Sequence, residues 1–72
     1  MLPPKTDPRW TALLTGKLDH KFANAAGSML MFRLKSKMKT DSANSATYLD
    51  EMHAFFTKYE PVLKDDLATI FK

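Results

Sequence analysis

With no cysteine anywhere in its 72 residues, this chain must hold its fold by packing alone. A chain of that length buries only roughly 60% of the surface its unfolded form exposes, and small domains usually add a disulfide, a metal or a partner chain. Composition rules out disulfides and thiolate-bound metals. Close helix packing remains, with oligomerisation as its natural supplement. At 44% hydrophobic and 26% charged residues, the chain is apolar enough for one globular domain over residues 1–72 and too apolar for full disorder.

The pattern of apolar residues predicts helices throughout. Residues 1–6, with Pro3 and Pro4, read as an extended lead-in free to fray. Asp7-Pro8 is a helix start: the carboxylate accepts from open first-turn amides, and proline at the first helical position gives up no needed donor. A short helix over about 8–15 would carry Trp10, Leu13 and Leu14, and Gly16 would end it in a left-handed cap.

The longest predicted helix runs from about 18 to 39. Leu18, Phe22, Ala25, Met29 and Phe32 follow alternating steps of four and three along one side. Ala23, Leu30, Leu34 and Met38 form a second apolar row, with Gly27 and Met31 near it. An ordinary surface helix has a single apolar stripe, so two stripes imply neighbours on both sides. Thr40 to Ser45 is a turn, rich in side chains that bond to nearby backbone. A third helix, about 45–59, sets Tyr48, Leu49, Met52, Phe55, Phe56 and Tyr59 on one face. Pro61 breaks it and opens a last helix, about 61–71, bearing Leu63, Leu67, Ile70 and Phe71. The expected architecture is a small all-α bundle: two main antiparallel helices with two short flanking ones.

Chemistry is sparsely represented. Asp50 and His53 share the carboxylate-x-x-histidine spacing of helical di-iron sites, but the other helices offer too few inward carboxylates to complete one. His53 reads as a boundary residue and His20 as solvent-facing. The serines sit in no strained glycine elbow, and two glycines cannot build a phosphate-cradling loop. The expectation is a protein that is not an enzyme, with no cofactor, metal or small-molecule substrate.

The net charge of +3 hides an asymmetry. Residues 1–40 carry a net of +6 and residues 41–72 a net of −3. Such a split suits two halves that face each other, in a hairpin or an antiparallel dimer. It also permits a nucleic-acid partner, for which Arg33, Lys35, Lys37 and Lys39 are the candidate contacts. Their spacing by two scatters them around the helix, and cations at a helix C-terminus complement its dipole in any case. The longest uncharged run, Phe22 to Phe32, falls short of the about 20 apolar residues that span a bilayer. The opening Met1-Leu2-Pro3-Pro4-Lys5 lacks the apolar run of a secretory signal. A cytoplasmic protein without membrane contact is expected.

The sequence therefore points to a small helical accessory or adaptor protein acting through protein–protein association, most simply as a homodimer. Phe22, Ala26, Met29, Leu30, Phe32 and Met38 are the candidate association residues. Leu49, Met52, Phe55, Phe56 and Tyr59 are the expected intramolecular core. The alternative is a small nucleic-acid-binding regulator using the four cations above.

Overall fold

The structure, a computed structural model, describes residues 2–72; Met1, the first residue of the expected lead-in, lies outside them. Four α-helices follow in order: α1 (Pro8–Thr15), α2 (Ala25–Thr40), α3 (Ser45–Lys58) and α4 (Lys64–Ile70). A single 3-10 turn, Ser42–Asn44, joins α2 to α3, and no strand occurs among the described residues. The fold is all-α.

Local chemistry sets the ends of α1. The Asp7 side chain accepts from the Arg9 amide at 2.9 Å and also binds the Arg9 guanidinium. Gly16 adopts φ 80°, a left-handed conformation that glycine enters without a Cβ penalty. The Leu18 amide then turns back to the Ala12 carbonyl at 3.0 Å.

The second helix departs from expectation at its start. Residues 18–24 are a loop, and α2 begins at Ala25 behind an Asn24 cap. Asn24 Oδ1 accepts from the amides of Ala26 at 2.9 Å and Gly27 at 3.3 Å. Leu18 and Phe22 are half-buried from the loop, so the four-three spacing that linked them to α2 belongs to no continuous helix. The last helix is also shorter than expected. Pro61 sits in a turn closed by the Val62 and Leu63 amides on the Tyr59 carbonyl, both at 3.0 Å, and α4 begins only at Lys64.

The core gathers Trp10, Leu13 and Leu14 of α1, Leu30, Met31 and Leu34 of α2, and Tyr48, Met52 and Phe56 of α3, closed by Leu63, Leu67 and Ile70. Trp10 is fully enclosed. Its ring meets Phe71 at 4.6 Å, His53 at 5.0 Å and Phe56 at 5.5 Å, and its indole N–H donates to the Pro3 carbonyl at 3.1 Å. The lead-in is therefore docked: Leu2 packs against the core, and Lys5 pairs with Asp50.

Gly27 is buried because two side chains lie where its Cβ would be. A Cβ there would stand 2.8 Å from Phe22 Cδ2 and 3.2 Å from Leu63 Cδ2. The absent side chain lets the loop and the α3–α4 linker close over the first turn of α2.

Candidate association face

The core contacts of α2 come from Gly27, Leu30, Met31 and Leu34, with Met38 half-buried below them. These residues define one side of the helix by the 3.6-residue period. On the opposite side the chain places Ala25, Met29, Phe32 and Ser36, all exposed. Met29 is 73% exposed and Phe32 75%, both without cover from the rest of the molecule.

Isolated apolar residues on a surface are ordinary; a contiguous patch of them is not. Here the exposed residues join. A shallow cleft of about 670 Å³ is lined by Ala26, Ser28, Met29, Leu30, Phe32 and Arg33 of α2 together with Phe55 of α3. A second, of about 320 Å³, shares Ala26 and Phe55 and continues over Tyr59, Val62 and Leu63. Phe55 packs against Tyr59 with tilted rings and centroids 4.7 Å apart, and Val62 is 62% exposed. The result is one apolar surface running from Phe32 across Ala26 to Val62.

The six residues expected to form an association face are thus divided. Ala26, Met29 and Phe32 lie together on the surface. Leu30 is interior, 6% exposed. Phe22 faces inward, its ring 5.7 Å from Phe56 and 4.7 Å from His20. Met38 sits at the other end of the helix, in a separate cleft of about 460 Å³ beside Leu14 and Gly16. Of the expected core, Met52 and Phe56 are fully enclosed, Leu49 and Phe55 are half-buried, and Tyr59 is exposed. The sequence placed Phe55 and Tyr59 in the core and did not single out Val62. The width of the α3 aromatic face, greater than one packing row can cover, was the available signal that some of it would stay outside.

The rim of this surface is charged and internally paired. Arg33 pairs with Glu51. Two of the other candidate nucleic-acid contacts are also drawn into local interactions: Lys35 lies 3.9 Å from Asp19, and the Lys37 ammonium stands 5.9 Å from the Tyr48 ring centroid. Lys39 is exposed in the last turn.

Both histidines make contacts within the fold. His53 packs edge-on against Trp10 and its Nε2 lies 3.3 Å from the Pro3 carbonyl, while Asp50 turns to Lys5. The pair does not converge, and no group of three or more metal-binding side chains occurs among the described residues. His20, expected in solvent, is instead enclosed beside Asp66. Its Nε2 donates to Asp66 Oδ1 at 2.9 Å, and the same carboxylate takes the amides of Ala23 at 2.8 Å and Asn24 at 3.3 Å. Burial alone would raise the Asp66 carboxyl's pKa. The Ala23 amide, the His20 ring and the Asn24 amide outweigh it and hold the group below the ordinary carboxylate value. Spacing gave no hint of this cluster, since its members are 42 to 46 positions apart.

No described helix is long and apolar enough to cross a membrane. Comparison with protein-family models, with curated proteins and with solved structures gives no match in any of the three.

Proposed function

We propose that this protein is a small, non-enzymatic helical accessory or adaptor protein that acts through protein–protein association and associates with itself. The supporting observation is the continuous apolar surface formed by Ala26, Met29 and Phe32 with Phe55, Tyr59 and Val62, running from the outer side of α2 over its flank towards α3. Such a patch on so small a body is costly to leave in water, at roughly 25 cal/mol for each Å² of apolar area. A second chain over it removes that cost, and mass action then adds stability that a thin core lacks.

Met29→Asp is the direct test, because the side chain is exposed and its loss disturbs no core contact. In sedimentation across a concentration series, the native chain should move above its monomer mass of 8.2 kDa. The variant should stay at that mass with its helical circular dichroism intact. Association through this surface should also be nearly indifferent to salt, whereas phosphate binding by Arg33, Lys35, Lys37 and Lys39 would weaken steeply. A native chain that is monomeric at every concentration, or a variant that associates as well as the native chain, overturns the reading.

A further inference from the structure

We infer that the groove over Trp10 is a binding site for an extended, proline-containing basic segment of a partner protein, and that this chain blocks it with its own residues 2–5. The site shares no residue with the α2 surface and stands apart from the association reading.

The occupant in place shows what the groove takes. Leu2 and Pro3 each precede a proline, whose ring disfavours the helical conformation for the residue before it. Pro3 and Pro4 also carry no amide hydrogen. The segment is thus extended before anything touches it, and at positions 3 and 4 its backbone can only accept. Residues 2–4 belong to no helix or strand. Among the described residues, their one backbone hydrogen bond is the turn in which the Asp7 amide donates to the Pro4 carbonyl at 2.9 Å.

The groove supplies the complement at three points. Two ring N–H groups, Trp10 Nε1 at 3.1 Å and His53 Nε2 at 3.3 Å, converge on the Pro3 carbonyl. That oxygen offers no proton, so the His53 Nε2 is the donor. Asp50 takes the Lys5 ammonium. Leu2 packs against the core at the edge of a cleft of about 710 Å³, whose apolar lining includes Pro61, Leu67, Ala68 and Phe71. Aromatic grooves bind proline-rich segments because a preformed extended chain loses little freedom on docking.

Lifting residues 2–5 away breaks these side-chain contacts and no helix hydrogen bond, since α1 is capped independently by Asp7. Segments held so loosely open locally, well short of global unfolding. The open groove would present two N–H donors, a carboxylate and an apolar cleft. A partner's segment must compete with the tethered one, whose effective concentration is of millimolar order. Disabling the tethered segment should therefore raise affinity for a free one.

The probe is the capped peptide Met-Leu-Pro-Pro-Lys-Thr, followed through Trp10, the chain's one tryptophan. In the full chain carrying Leu2→Asp with Lys5→Glu, the Trp10 indole N–H resonance should leave its native position. Added peptide should restore it, binding at least about tenfold more tightly than to the native chain, as a groove open in one native molecule in ten requires. Lys5→Glu alone, an exposed change, should shift affinity in the same direction by less. Asp50→Lys should lose this peptide and take instead the version with glutamate in place of lysine. A double variant that binds no better than the native chain, or that takes a peptide with alanine at both prolines equally well, overturns the assignment. So does a native assembly that Lys5→Glu reduces to 8.2 kDa, because residues 2–5 would then be exchanged between copies.

Discussion

At the residue scale, Gly27 shows how one missing methyl group organises its surroundings. Replacing it with alanine should gain up to about 1 kcal/mol of helix propensity. Against that, the new Cβ would meet the Phe22 ring at 2.8 Å, and that ring is wedged against Phe56 and His20 rather than free to swing away. Overpacking of this kind costs about 1–3 kcal/mol. Gly27→Ala should therefore lower stability by about 1 kcal/mol in denaturant unfolding, the difference of those two effects. A stabilised variant would show that Phe22 yields. Sequence alone placed Gly27 beside the second apolar row of the long helix; its close packing depends on Phe22, from the loop just before α2, and on Leu63, from the α3–α4 linker.

At the element scale, α1 was legible and α2 only in part. Asp7-Pro8 and Gly16 mark the ends of α1 through interactions made within a few residues, so the sequence carries the whole instruction. The start of α2 is decided elsewhere. Residues 18–24 have helix-compatible apolar spacing, yet the Ala23 and Asn24 amides bond to Asp66 and the Leu18 amide to Ala12. Tertiary partners override the local pattern. The same holds for the candidate surface: two apolar rows on α2 were visible, but periodicity does not say which row faces the core, so Leu30 and Met29 looked equivalent. Asp66→Ala should expose this dependence. It leaves two amides and the His20 ring without their acceptor, at about 1–3 kcal/mol for a buried donor left unpaired. The expected loss is about 2–3 kcal/mol in total, softened by water entering the loop. Hydrogen exchange should quicken first at Ala23 and Asn24, while Asp65→Ala, at an exposed neighbour, should change stability by less than about 0.5 kcal/mol. Equal effects at both positions would remove the special role of Asp66.

At the scale of the whole molecule, the three carboxylates with lowered pKa give stability a definite pH profile. Asp7 is held at about 2, chiefly by the Arg9 side chain and also by the Arg9 amide. Asp41 is lowered by the Tyr48 hydroxyl and the Asn44 amide group, and Asp66 is lowered as described. Each favours the folded state fully above its unfolded value of 3.8 and loses that contribution as pH falls through its folded value. The Tyr48 phenol is raised from 10.0, first by its hydrogen bond to Asp41, so its contribution is complete below that value and disappears in stronger base. The thermal midpoint should be level across neutral pH, decline from about pH 4 towards pH 2, and decline again above about pH 10. An acid limb unchanged by the combined replacement of Asp7, Asp41 and Asp66 would contradict the assignment.

The carboxylate of Asp66 also sets an order in which these residues can take their final form. Its oxygens serve a loop more than forty positions earlier, so the entrance to α2 has no fixed form until Asp66 itself has been made. A ribosome still holding Asp66 would carry α2 and α3 with the entrance to α2 untied. For the same reason, a protease that severed the exposed linker at Pro61 and Val62 would do damage far from the cut, freeing the mid-chain loop together with the final helix.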